Sequence, residues 1–150
     1  MRFSLITALL AAPAATLAAQ DTAPPTLKAP LTLTAADSAR YIALGKKYTG
    51  WFLGGQSDSL VAVTEADALE KMGGPEGIQT VMEQVNSRAG IELAIVEEKL
   101  TRRRGALQFW HAGNFSELTS DQLVIRWLLD DHGKIVGAGI GPKANTPPVD

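Results

Sequence analysis

The chain has 150 residues, a formal net charge of −2 at pH 7 and no cysteine. Without cysteine it forms no disulfide and offers no thiol for catalysis or metal binding. Acidic and basic residues are interspersed, whereas proteins that bind nucleic acid normally have a strong basic bias. We therefore expect no nucleic-acid partner, and a domain that is held together by its hydrophobic core alone.

Residues 1–20 have the pattern of a secretory signal peptide. Arg2 precedes an apolar run, and the small residues around Ala18 and Ala19 offer a cleavage site. The alternative is a short membrane anchor, but the apolar run falls short of the roughly 20 residues that span a bilayer. The proline-rich residues 21–33 follow as a linker. We expect an exported protein, periplasmic or secreted, with no membrane contact after the signal is removed.

Helical periodicity marks the first half of the domain. Thr34 and Asp37 have nearly the spacing of a capping box, which predicts that a helix begins there. The first helix carries an apolar, largely aromatic stripe: Tyr41, Leu44, Tyr48, Trp51 and Phe52. Three helical regions are predicted in total: 34–53, 57–72 with a break near Thr64, and 75–89 capped by Gly90.

After Gly90 the apolar period changes from that of a helix to the alternation of β-strands. Four strands in consecutive hairpins are predicted: 91–103, 106–115, 123–129 and 134–140. Helices that precede an antiparallel sheet cover one of its faces. The sequence therefore predicts an α+β domain over 34–142, with N-terminal helices packed on a four-stranded antiparallel sheet, followed by a disordered tail at 143–150.

The last hairpin has the clearest pattern. Leu123, Ile125, Trp127 and Leu129 alternate strictly, so their side chains share one face of a strand. Gly133 follows in the turn, where glycine can adopt a positive φ without a steric penalty. We expect the Trp127 face to pack on the first helix.

Several segments carry a family resemblance: Gly45-Lys-Lys-Tyr48-Thr-Gly-Trp51-Phe52, Ser59-Leu60, the helix from Gly73-Gly74-Pro75 to Gly90, Trp127-x-Leu129-Asp130-x-x-Gly133-Lys-Ile135-x-Gly137, and Pro142. With them the chain resembles the NTF2-like (cystatin-like α+β) superfamily. Within it, the chain is similar to exported bacterial domains of unknown function often found N-terminal to serine hydrolase or β-lactamase-like domains. The resemblance implies a strongly curved sheet that forms a cone around the first helix, with a ligand or active site often at its mouth. The matching residues are structural, so no catalytic residue is carried over.

The many aromatic residues have two interpretations. The simpler one is core packing, which aromatic rings favour. The other is an apolar pocket with tyrosine hydroxyls at its mouth. For that pocket we predict five binding residues: Tyr48, Trp51, Phe109, His111 and Trp127.

His111 is the best candidate for acid–base chemistry. It shares a strand face with Phe109, so a titratable group lines the cone if that face lies inside. As a wall or rim residue, it should contribute little to stability. Glu97 and Glu98 point to opposite sides of their strand, and the sequence does not choose which of them faces inward. The second histidine, His132, lies in the last turn, too far away to form a metal site with His111. We predict neither a metal nor a cofactor.

The sequence thus favours an exported, non-catalytic accessory domain that binds a small apolar molecule or a protein partner. One alternative is an enzyme of the isomerase, dehydratase or cyclase type that uses His111 or a strand glutamate. The other alternative is an interaction module without a ligand, which forms a homodimer through the outer face of the sheet, as the resemblance implies.

Overall fold

The structure, a computed structural model, describes residues 33–103 and 106–147. Four helices precede four strands and a final 3-10 helix: α1 Ala35–Leu53, α2 Ser57–Val63, α3 Ala66–Lys71, α4 Gly74–Ala89, β1 Glu92–Arg103, β2 Ala106–Phe115, β3 Leu123–Leu129, β4 Ile135–Pro142 and the 3-10 helix Lys143–Asn145. The predicted break near Thr64 separates α2 from α3.

The strands form one open antiparallel sheet in the order β1-β2-β3-β4. The helices cover one face, called the inner face here, and the predicted α+β class is confirmed. The pairing of β1 with β2 is irregular at two places, between Glu92 and Ala94 and between Ile95 and Glu97. A third irregularity lies in the β3–β4 pairing. Such irregularities bend strands, in accord with the expected curvature.

Helix α1 begins as predicted and lies close against the sheet. The Thr34 hydroxyl accepts a hydrogen bond from the Asp37 backbone N–H, and the two residues form a complete capping box. Gly45 lies directly over the Phe109 ring, where a Cβ atom would collide with ring carbons. The missing side chain therefore lets α1 approach β2 closely, and Phe109 is fully buried beneath it.

The inner face of β3 carries the predicted alternation. Leu123, Ile125, Trp127 and Leu129 are all buried in the main hydrophobic core. The Trp127 indole N–H donates a hydrogen bond of 2.9 Å to the Thr49 hydroxyl, and its ring meets Phe52 edge-on. The expectation that this face packs on the first helix is confirmed.

The turn between β3 and β4 is fastened to α1. Gly133 has the expected positive φ, +85°. The Tyr48 hydroxyl donates a hydrogen bond of 2.8 Å to the Gly133 carbonyl, and the Tyr41 hydroxyl donates to the carbonyls of Asp130 and Asp131. Both tyrosine hydroxyls thus hold the turn, and neither tyrosine is among the lining residues of the cavities described below.

The chain continues in a defined way beyond β4. In the segment predicted as a tail, Lys143–Asn145 forms a 3-10 helix, and the Ala144 N–H donates to the Asp121 carboxylate. The predicted signal peptide, nearly all of the linker, residues 104–105 and the last three residues lie outside the described residues. Within the described part of the chain, no helix is long and apolar enough to cross a bilayer.

Candidate functional site

The five predicted binding residues do not line one common cavity. Phe109 and His111 are buried on the inner face of β2, and Tyr48 is buried on α1. Trp51 is half-buried, with its ring 5.6 Å from that of Tyr48 and the Lys47 ammonium 4.5 Å above it. Only Trp127, opposite Phe109 in the sheet, lines the apolar cavity described below.

His111 lies in a charged cluster, defined here as Lys46, Glu92, Glu98 and His111. Its Nε2 atom is 2.6 Å from Glu92 Oε1 and its Nδ1 atom is 3.1 Å from Glu98 Oε1. The second oxygen of Glu98 is 2.7 Å from Lys46 Nζ on α1. The histidine side chain is 2% exposed, while the two carboxylates retain partial contact with water.

The hydrogen bonds of the charged cluster constrain its protons. A neutral imidazole has one donor and one acceptor, whereas here both ring nitrogens face carboxyl oxygens. A neutral ring can therefore donate a hydrogen bond to only one of the two carboxyl groups.

The pKa of Glu98 lies below its ordinary value. Burial raises the pKa, but the hydrogen bonds from Lys46 and His111 and their positive charges lower it by more. The carboxylate is therefore held in its ionised form. This ion pair joins β1 to α1 across the inner face.

The geometry of the charged cluster suits a structural role better than catalysis. Both nitrogens of His111 are occupied, and the residue lines none of the cavities described. The carboxylates meet opposite sides of the ring, so they cannot converge with it on one metal ion. Among the described residues no group of three or more potential ligands could hold a metal. The contacts of the cluster fix the edge strand β1 to β2 and α1.

Two members of the charged cluster, Glu92 and Lys46, were not anticipated from the sequence. The sequence does contain a signal that Glu98 faces inward, because Glu98 lies two residues before the apolar Leu100, and Leu100 packs against the core. Glu97 instead pairs with Lys99 at 2.8 Å. Nothing local indicates Lys46, which is 52 residues away in the chain and is brought near by the close approach of α1.

An apolar cavity of about 290 Å³ lies on the other side of the inner face, toward β4. Helices α1, α2 and α4, the C-cap residue of α3 and strands β3 and β4 border it, and its lining includes no charged residue. Thr64 is the one polar side chain, and its hydroxyl donates to the Leu60 carbonyl. The lining comprises Phe52, Leu60, Thr64, Met72, Gly77, Ile78, Val81, Trp127, Ile135, Ala138, Gly139 and Ile140.

The outer face of the sheet is not an exposed apolar surface. Trp110, Ala112 and Val124 are buried there, and the Lys99 and Arg126 side chains lie over the Trp110 ring at 5.2 and 5.9 Å. Exposed apolar side chains instead follow the first half of the edge strand β1 and the residue before it: Ile91, Leu93, Ile95 and Val96, which are 44–71% exposed.

No known protein-family model matches the chain. The curated proteins and the solved structures likewise contain no match to it. The resemblance to the NTF2-like superfamily therefore stays a prediction.

Proposed function

We propose that the protein is an exported, non-catalytic binding domain of the NTF2-like kind, and that a small apolar molecule occupies the apolar cavity. The observation that carries this proposal is the cavity itself, which lies between the helices and the sheet and is lined almost wholly by apolar side chains. Ligand sites in proteins are typically concave, largely apolar and furnished with few polar groups.

The size of the cavity indicates the size of the ligand. At about 290 Å³ it lies close to the lower end of the roughly 300–1,000 Å³ typical of small-molecule sites. Ala138 lines it and is exposed to solvent, which gives a ligand a way in from the β4 side. Thr64 can still accept one hydrogen bond through its hydroxyl oxygen.

The charged cluster supports a binding role over an enzymatic one. A general acid or base must come within hydrogen-bond distance of its substrate. His111 is 2% exposed and both of its nitrogens already contact carboxylates. The isomerase-type alternative would require the cluster to open first.

Binding is tested by thermal unfolding with toluene and naphthalene as probes. A ligand at a hundredfold excess over Kd stabilises the folded state by about 2.7 kcal/mol, which shifts Tm by roughly 10 °C. Ala138→Phe should fill the mouth of the cavity and abolish the shift. Ala62→Phe, at an exposed alanine of α2 outside the cavity lining, is the matched control and should retain it. Absence of any shift for the unmodified protein would refute the proposal.

The exposed apolar residues of β1 favour a second function, self-association. An edge strand with unpaired backbone groups and exposed apolar side chains can pair with another strand. Two copies running antiparallel and centred on Ala94 would place Leu93 of one copy opposite Ile95 of the other, so the exposed apolar side chains would cover each other. The partner we propose is a second copy of this chain, joined edge to edge.

Sedimentation of the protein over a range of concentrations tests the dimer. Leu93→Lys combined with Ile95→Lys should shift the population to monomer. Val136→Lys changes a 38% exposed valine on the other edge strand and should leave the dimer intact. If the protein is monomeric at every concentration, or dimerises equally well with lysine at 93 and 95, β1 is excluded as the dimer interface.

Export is tested separately. The mass of the intact protein recovered from the cell envelope or the medium should lack residues 1–20, because a signal peptide is removed after translocation. A mass that includes Met1 would favour the anchor.

A further inference from the structure

A second cavity, called the distal cavity here, adjoins the apolar cavity along α4 and β4. It measures about 360 Å³ and shares two lining residues, Val81 and Ile140, with the apolar cavity. The two spaces thus lie end to end and follow one helix. From Ile78 in the first to Arg88 in the second, α4 rises by about 15 Å.

The two cavities differ in polarity. The apolar cavity has no charged side chain in its lining, whereas Gln84 and Arg88 line the distal cavity. Val81, Val85 and Arg88 follow one another at helical spacing, so they lie along the same side of α4. Together, the two cavities therefore form a space that is apolar at one end and is lined by the Arg88 guanidinium at the other.

The Arg88 side chain is accessible to an anionic ligand. Arg88 is exposed and has no ion-pair partner among the described residues, and neither cavity is lined by an acidic residue. Arg88 lies in the last turn of α4, whose C-terminus carries roughly −0.5 of a charge. The full positive charge of the guanidinium outweighs that partial charge. An anion is therefore favoured at this end.

We propose that the ligand is an elongated amphiphile with a single anionic head, of the class of a medium-chain fatty acid. Its hydrocarbon chain lies in the apolar cavity and along Val81 and Ile140, and its carboxylate lies beside Arg88. The roughly 15 Å between the two ends is about the length of extended decanoate or dodecanoate. This inference rests on the proposed function, since it assumes that the apolar cavity accepts an apolar group.

Calorimetric titration with dodecanoate, kept below its micelle-forming concentration, tests the inference. Dodecan-1-ol has the same chain without the charge, and hexanoate has the same head with a short chain. We expect dodecanoate to bind roughly tenfold to a hundredfold more tightly than dodecan-1-ol, the range that a charge-assisted hydrogen bond supplies. Hexanoate should bind most weakly, because it cannot fill the apolar cavity.

Arg88→Gln should remove the preference for dodecanoate over dodecan-1-ol and leave the binding of toluene unchanged. Lys71→Gln, at an exposed cation in the last turn of α3 outside both cavities, is the control and should keep the preference. Equal binding of acid and alcohol by the unmodified protein, or an undiminished preference in Arg88→Gln, would overturn the inference. If toluene still binds in that case, the proposed function survives. If no probe binds, both fail.

Discussion

The inner face of the sheet meets the helices in two different ways. Toward β1, α1 presses on β2 through Gly45, and the remaining space is filled by the charged cluster. Toward β4, Thr64 forms a bridge with Ile135, and the apolar cavity lies beside it between the helices and the sheet. On the β1 side, ion pairs and hydrogen bonds join the strands to α1. On the β4 side there is unfilled volume, and this is the side to which we assign binding.

Trp127→Ala is expected to have the largest effect, because this residue belongs to both regions. It is 3% exposed in the main core and also lines the apolar cavity. Loss of a buried aromatic ring costs about 3–5 kcal/mol of unfolding free energy. Urea unfolding measures this loss. Trp51→Ala, at a half-buried ring on α1, is the comparison and should cost less. A change below about 1 kcal/mol would contradict the packing described for Trp127.

His111→Ala tests whether the charged cluster contributes to stability independently of binding in the apolar cavity. The substitution leaves the carboxylates of Glu92 and Glu98 without their shared donor. Leaving a buried polar group without its hydrogen-bond partner costs about 1–3 kcal/mol, and because these carboxylates keep some contact with water we expect about 2 kcal/mol. This reverses the expectation from the sequence that His111 contributes little to stability.

His132→Ala is the matched control for His111, since His132 is exposed in the last turn and should change stability by less than about 0.5 kcal/mol. Below its Tm, the His111→Ala protein should bind toluene as the unmodified protein does. Normal stability together with lost binding would place His111 in the ligand site and refute the separation of the two regions.

Lys46→Met should have the smallest effect. The lysine side chain is 54% exposed, and such ion pairs contribute about 0–1 kcal/mol. The substitution should also change how the stability of the fold depends on pH. Because the pKa of Glu98 is lowered in the folded state from its usual value of 4.5, the carboxylate stabilises the fold above that pH. This contribution is lost as the pH falls through the lower, folded-state pKa.

Urea unfolding between pH 7 and pH 3 tests this dependence. Lys46→Met should weaken the acid-induced loss of stability, since Glu98 then loses its first hydrogen-bond donor. Lys71→Met, at an exposed lysine outside the cluster, should follow the unmodified protein. Identical acid profiles for all three proteins would show that the Lys46–Glu98 ion pair does not influence folding.

The sequence by itself determined the elements and the inward face of β3. The capping box at Thr34, the positive φ of Gly133 and the strict alternation around Trp127 depend on a few neighbouring residues. Steric limits on φ and the period of two act at that short range. Local patterns were therefore sufficient for the α+β class and for nearly all helix and strand bounds.

Only the tertiary structure decided the surroundings of His111 and the position of the cavity. Glu92 reaches His111 across a strand with two irregularities in its pairing, and Lys46 arrives from α1 because Gly45 permits the close approach. The apolar cavity depends on the position of α4 relative to β4 in the folded protein. Such placements depend on packing between elements distant in the chain, and the spacing of residues along any one element does not contain them.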